Sequence, residues 1–273
     1  MNPPARPRVT AVVLTRNEEE MIARCLARLS WADEMLVVDS LSTDRTVELA
    51  REAGARVLSH PFRDFSDQTN WAFSQAEGEW IFQIDADELV TPELRDSVLA
   101  AVAAPRWDIY SLKRDSYVFG RLLRSSSWSG EWIPRLFRRG SVTFAGEVHQ
   151  DPQIGDREVG RLDGVLIHYT YRSTEKYFEK FQLYSTLWAE KAAAKGRRTG
   201  IVKASISSLW RVFHNYFIRG EFRDGRVGVV LSILAGMHTF IRHMKLWGLQ
   251  NAEEFSRIYE EDGEDGKDGK NGS

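Results

Sequence analysis

Two carboxylates one residue apart, Asp85-Ala86-Asp87, follow directly on the apolar run Trp80–Ile84 (WIFQI). Alternate residues of an extended segment point to opposite faces, but where a strand passes into a loop both can turn toward one ligand. Hard divalent cations such as Mn2+ and Mg2+ take oxygen ligands of this kind and commonly share their remaining positions with substrate phosphates. The chemistry that needs the arrangement is departure of a diphosphate, whose developing charge a metal neutralises. A D-x-D triplet alone is common, so its position has to carry the reading. Two other apolar runs also end in polar residues: Val9–Thr15 (VTAVVLT) leads into Arg16-Asn17-Glu18, and Glu34–Val38 (EMLVV) leads into Asp39-Ser40.

The elements that would hold these residues follow from hydrophobic spacing. VTAVVLT is too continuously apolar for a strand with one wet face and reads as a buried parallel strand. Met21, Ile22, Cys25, Leu26 and Leu29 recur at helical spacing within 18–29. A second strand at 34–38, a helix over 43–53 stopped by Gly54, a short strand at 56–59, a helix over 66–75 and a fourth strand at 80–84 follow in turn. Pro92 stands at the first turn of a helix over 92–103, where proline costs least. Strand and helix alternating in this way predict right-handed crossovers and a Rossmann-like parallel sheet. Ligands bind such sheets beyond the carboxyl ends of the strands, so the three polar strand ends should converge on one site. From 107 to 172 aromatics and arginines mix with short β-like runs, which predicts a mixed or antiparallel region completing the sheet. The chain from 173 to 250 reads as helical with breaks near Gly196–Gly200 and Gly220–Gly228, and 251–273 as an acidic disordered tail.

Composition bounds the function. The 273 residues carry 37 Lys+Arg against 39 Asp+Glu and are 42% hydrophobic, which excludes collagen-like, disulfide-scaffold and largely disordered chains. Cys25 stands alone, and the N-terminus lacks the charged-then-apolar pattern of a secretion signal, so a reducing, cytoplasmic setting is expected. The near-zero net charge conceals zones: 1–106 is acidic, 107–250 basic and 251–273 acidic again.

The runs VTAVVLTRNEE, MLVVDSLSTDRTVELA and DQTNWAFSQAEGEWIFQIDADELVTPEL, in this order and spacing, resemble the donor-binding half of a family 2 glycosyltransferase of the GT-A fold. The segments EWIPRLFRRGSVTFAGEVHQ and LIHYTYRSTEKYFEKF are similar to a bacterial subgroup that builds lipopolysaccharide core or other cell-envelope glycans, including core β-1,4-glucosyltransferases. The resemblance implies an α/β GT-A mixed sheet flanked by helices with a C-terminal helical appendage, divided into a nucleotide-sugar half (1–106), an acceptor half (107–172), a basic helical region (173–250) and the tail. It further implies that Thr15, Asn17 and Glu18 hold the nucleoside, that Asp39 hydrogen-bonds the base or ribose, and that Asp67 and Asn70 approach the donor. Asp85 would lie by the ribose and the Mn2+ or Mg2+ ion, with Asp87 as its direct ligand. Read from the residues alone, Asp39 could instead cap the turn at Ser42–Thr46, and Glu18 could be a first-turn acid favoured by the helix dipole.

Inverting transfer needs a carboxylate to take the acceptor hydroxyl's proton. Where the subgroup reads V-H-E, this chain has Val148-His149-Gln150, and glutamine cannot be a base. Glu147 is favoured over Asp151, which precedes Pro152 and could simply shape a turn. His168, at the end of GVLIH, is a candidate third metal ligand or a hydrogen-bonded strand-end histidine. His149, Arg135 and Arg138 are candidates for diphosphate or acidic sugar, guanidinium matching phosphate bidentately, and Trp128 and Trp132 for stacking on a sugar face. A solvated basic strand with core aromatics is the alternative for these.

The helical region interleaves basic residues with aromatics, as interfacial helices on anionic membranes do. Its apolar stretch 227–241 is shorter than the roughly 20 residues that span a bilayer. The implied partners are a nucleotide-sugar donor, a lipid-linked or lipopolysaccharide acceptor and the inner-membrane surface, with no nucleic acid. A nucleotidyltransferase would want a glycine-rich loop after the first strand, which TRNEEE lacks. A binding module without catalysis is the remaining alternative.

Overall fold

The computed structural model describes residues 6–125, 129–146, 151–253 and 255–256, without the side chain of Asp151. The chain forms two compact units. One runs to Tyr117 and takes up the chain again through Thr170; the other joins the segment from Val118 to the chain from Tyr171 onward.

The first unit holds a mixed sheet. Strands β1 (Val9–Thr15), β2 (Glu34–Asp39), β3 (Arg56–Ser59) and β4 (Trp80–Asp85) alternate with helices α1 (Ile22–Ala27), α2 (Thr46–Glu52) and α3 (Phe65–Gln75). Then come β5 (Glu88–Val90), α4 (Pro92–Ala103), β6 (Ile109–Val118), the short β7 (Arg121–Leu122) of the second unit, β8 (Ser129–Arg138), β9 (Phe144–Ala145) and β10 (Asp151–Pro152), which pair with each other alone, and β11 (Gly160–Tyr171). The sheet order is β3-β2-β1-β4-β8-β6-β11-β5. The β3-β2-β1-β4 half is parallel and β8 runs antiparallel to both β4 and β6, the mixed sheet the sequence predicts.

The continuous apolar character of β1 has a direct cause. Val9, Ala11 and Val13 face one core with Met21, Ile22, Cys25, Leu26 and Leu29, while Val12 faces a second core with Leu36, Val38, Ala72, Ala76 and Ile81. Helices on both sides leave the strand no wet face. Helix α4 starts as its sequence predicts, with Thr91 Oγ1 accepting from Leu94 N and Pro92 in the first turn. Helix α1 does not. It begins at Ile22 rather than Glu18; the residues between form a turn in which Met21 N and Ile22 N both donate to Glu18 O, at 3.0 and 2.9 Å.

The second unit is helical: α5 (Thr174–Ala194), α6 (Ile201–Phe213), a π turn over His214–Ile218, a 3-10 turn over Glu221–Asp224 and α7 (Gly225–Gln250). Breaks fall near Gly196 and Gly220, both at positive φ, as predicted. Asp224, 1% exposed, accepts from Arg124 N at 2.6 Å and Ser125 N at 3.1 Å, which ties the 118–125 segment into this unit. Helices α6 and α7 approach so closely that a Cβ on Gly236 would lie 2.4 Å from Val212. The apolar stretch 227–241 was expected to be too short to span a bilayer. The helical segment containing it, Glu221–Gln250, is long and apolar enough by length and composition alone, because regular structure continues beyond the run at both ends. Of the tail expected from 251, residues 251–253 and 255–256 are described and continue with helical turns, Phe255 N donating to Asn251 O at 3.0 Å, and the rest lies outside the described residues.

Candidate active site

Parallel register brings the polar strand ends together: Thr15 pairs with Asp39 and Leu14 with Asp85. The loops that follow β1 and β2 are laced to each other. Asn17 N donates to Ser42 Oγ and Thr43 N to Asn17 Oδ1, both at 2.8 Å; Glu18 N donates to Thr46 Oγ1 at 2.8 Å, and Glu19 N to Asp44 Oδ2 at 3.1 Å. Asn17 thus spends its side chain on the neighbouring loop and takes φ +53° to do so. Asp39, 2% exposed, accepts from Ser42 N at 2.9 Å and from Ser42 Oγ, so the turn-closing role open to it in the sequence is present. Thr15 Oγ1 is buried and has no hydrogen-bond partner among the described residues, a group that a ligand could satisfy.

Between these residues Leu41 sits at φ +60° and 56% exposed. The left-handed region costs an L-residue with a Cβ roughly 1–2 kcal/mol, and this side chain is more exposed than covered. Leu41→Gly is expected to stabilise the fold by about 0.5–1 kcal/mol after glycine's greater unfolded-state entropy. Denaturant unfolding reads this directly, and a midpoint at or below that of the parent chain would refute the strain.

The second half of the site is set by β5 and β11. Their antiparallel register places His168 opposite Glu88, and Tyr169 N donates to Asp87 O at 2.9 Å. Asp87 Oδ2 thereby lies 3.4 Å from His168 Nε2, and His168 Nδ1 lies 3.0 Å from Thr170 Oγ1. Burial by itself pushes the His168 imidazole down, but its hydrogen bond and charge attraction to Asp87, joined by Glu88, outweigh this and hold it above its ordinary value. Beneath this pair Glu88 is fully buried. It accepts from Asp85 N at 3.0 Å and from Arg135 Nη2 at 3.1 Å, while the same Arg135 nitrogen donates to Asp85 Oδ2 at 2.8 Å. Burial raises the Glu88 carboxyl above its ordinary range, with Arg135 opposing it. Burial also disfavours the charge on Arg135, but the Glu88 and Asp85 carboxylates more than restore it.

Among the described residues no three His, Cys, Asp or Glu side chains converge to hold a metal by themselves. The Asp87–His168 pair still fits a divalent ion. Neighbouring ligands of an octahedral ion with bonds of about 2.1 Å lie about 3 Å apart, close to the 3.4 Å seen, and such ions commonly fill their other positions with substrate phosphate and water.

The remaining candidates fall in several places. Arg135, expected to meet phosphate or acidic sugar, is 6% exposed and bound to Asp85 and Glu88. A buried strand position next to two carboxylates commits its guanidinium inward. Asn70 bonds both ways to the main chain of Phe144, each contact 2.9 Å, and so positions β9. Asp67 lies 2.9 Å from His60 Nε2, and His60 stacks on Trp71. Trp132 is 43% exposed beneath the Arg161 guanidinium, and Arg138 pairs with exposed Asp108. Trp128, Glu147 and His149 lie outside the described residues, as does the side chain of Asp151, whose main chain pairs with Ala145. Sequence reasoning missed Glu88 and Arg114, whose Nη1 lies 3.5 Å from Glu88. The signal was available in Glu88-Leu89-Val90, since a charge entering an apolar strand must find a partner.

A Rossmann-like sheet with an antiparallel insertion and acidic residues at the carboxyl ends of its parallel strands is the GT-A glycosyltransferase architecture. The mannosyltransferase PcManGT of Pyrobaculum calidifontis, solved with GDP-Man and Mn2+, shares this fold at TM-score 0.51 and 16% identity, over 89% of this chain and 88% of that one. Residues 10–152 match the family described as Glycosyl transferase family 2, and the chain belongs to that family. Two relatives align along nearly all of it. The lipopolysaccharide core biosynthesis glycosyltransferase LpsC of Rhizobium meliloti is 27% identical over 88% of this chain and 92% of its own length. The uncharacterized glycosyltransferase RT0209 of Rickettsia typhi is 28% identical over 88% of this chain and 86% of its own.

Proposed function

We propose that this glycosyltransferase is a metal-dependent, inverting hexosyltransferase. It would move a sugar from a nucleotide donor, UDP-glucose or a close analogue, to a lipopolysaccharide-core or other lipid-linked cell-envelope glycan at the inner face of the cytoplasmic membrane. The observation that carries the reading is the pair of Asp87, in the turn after β4, and His168 of β11, beside the strand ends that hold buried Asp39 and the Thr15 hydroxyl. The acceptor class is supported by the full-length likeness to LpsC.

In this reading Asp39 accepts from the base or ribose and Thr15 supplies a further polar contact. Asp87 and His168 would hold the Mn2+ or Mg2+ ion, which when bound neutralises charge on the departing diphosphate. Arg135 fixes Asp85 and Glu88, so that the β4–β5 turn presents Asp87. The acceptor oxygen forms its bond to the anomeric carbon as the bond to diphosphate breaks on the opposite face, and the hydroxyl proton passes to Glu147 or, failing that, Asp151. Gln150 can orient a hydroxyl but not take its proton.

Thermal unfolding with a panel of UDP- and GDP-sugars, with and without Mn2+, tests the donor and the metal together. A donor at about 100 times its Kd adds about 2.7 kcal/mol, a rise of roughly 5–10 °C for a chain of this size. The rise should require the metal. No shift with any nucleotide sugar would sink the reading, and an equal shift in chelator would sink the metal's part in it.

A further inference from the structure

Helix α6 is inside out for a soluble protein. Its packed side is built of small residues: Ala204 is fully buried, and Ser208 Oγ donates to Gly236 O of α7 at 2.8 Å. The large apolar residues point away. Val202, Ile206, Leu209, Trp210, Phe213 and Phe217 recur at helical spacing through the π turn and are 46–71% exposed. A continuous stripe of this kind marks an interaction surface.

Charge decides what covers it. Between Glu190 and Glu221 the chain has no acidic residue but carries Lys191, Lys195, Arg197, Arg198, Lys203, Arg211 and Arg219. A second copy of the chain seated symmetrically would set like charge against like, and nucleic acid offers no apolar counterpart to six exposed hydrophobic side chains. An anionic bilayer surface supplies both complements: acyl chains for the stripe and headgroups for the cations.

We propose that the outward face of α6 and its π turn is a membrane-docking surface that lies in the headgroup region of an anionic bilayer without crossing it. This deepens the reading of a membrane-presented acceptor and rests on that reading only for its purpose. Lipid binding and donor binding are read separately.

The test sediments the full-length protein with sucrose-loaded vesicles of phosphatidylcholine, alone or mixed with phosphatidylglycerol, at several salt concentrations. The parent chain should bind the anionic vesicles and come off in alkaline carbonate. Ile206→Ser/Leu209→Ser should weaken partitioning by about tenfold or more with an unchanged circular dichroism spectrum and an unchanged donor-induced thermal shift. Lys203→Glu/Arg219→Glu should remove the preference for phosphatidylglycerol. Unaltered vesicle binding by the serine pair overturns the proposal, as does a parent chain that resists carbonate, which would mean a spanning helix. A parent dimer that the serine pair dissociates would assign the face to a second copy and overturn it equally. A lost donor shift with intact vesicle binding would count against the enzymatic reading alone.

Discussion

Asp87→Asn is expected to lower sugar transfer by about a thousandfold or more, with little change in thermal stability. Its carboxylate would be the one anionic protein ligand in the Asp87–His168 pair, and stabilisation of a leaving group by a bound metal is worth several kcal/mol, each 1.36 kcal/mol being tenfold in rate. Asparagine keeps the shape and one oxygen but loses the charge. Release of nucleoside diphosphate from the donor, measured across a Mn2+ titration, separates the two parts of the loss: weaker metal binding shifts the titration, and a poorer site lowers its plateau. Activity within tenfold of the parent at saturating metal would remove Asp87 from the proposed role.

The largest expected effect on the fold lies one layer deeper. Arg135→Met leaves Glu88, fully buried, without its closest cation. Breaking a buried ion pair from one side costs about 3–5 kcal/mol, on the order of 10 °C in melting temperature for a chain of this length. The loss should depend on pH in a defined direction. The folded-state value of the Glu88 carboxyl is already raised by burial, and removing the guanidinium raises it further above the unfolded value of about 4.3. A group raised in this way contributes its stability below its unfolded pKa and loses it as pH climbs through the folded one. The variant's deficit should therefore be small near pH 4.5 and widen toward pH 8. Adding Glu88→Leu should recover most of the loss at neutral pH. A melting temperature within about 2 °C of the parent at pH 8 would show that Arg135 is not what keeps Glu88 in place.

The contrast between Asp87 and Arg135 shows how far the sequence could be read. Asp87 was legible because its neighbours in the chain, an apolar strand ending in D-x-D, determine where it goes. β1 and α4 were legible for the same reason, set by a continuous apolar run and by Pro92 in a first turn. Arg135 was misassigned because its surroundings come from β4 and β5, 47–50 residues away, and local pattern cannot tell a guanidinium that looks out from one that looks in. The loop before α1 was no more legible, since its main-chain donors at 17–19 are taken up across a gap of 25–28 residues by Ser42, Thr46 and Asp44. The attachment of the 118–125 segment to the C-terminal helices rests on Asp224, about 100 residues away, and leaves no trace in the spacing of either segment.

The lacing of the two loops through Asn17, Ser42, Thr43 and Thr46 bears on time as well as on shape. Those hydrogen bonds run between groups of the chain itself, so the ordering cost of this wall is met during folding rather than at each encounter. A nucleotide arriving there meets a finished surface. Its capture would follow a single exponential whose rate climbs in proportion to concentration, with no plateau set by a loop waiting to close.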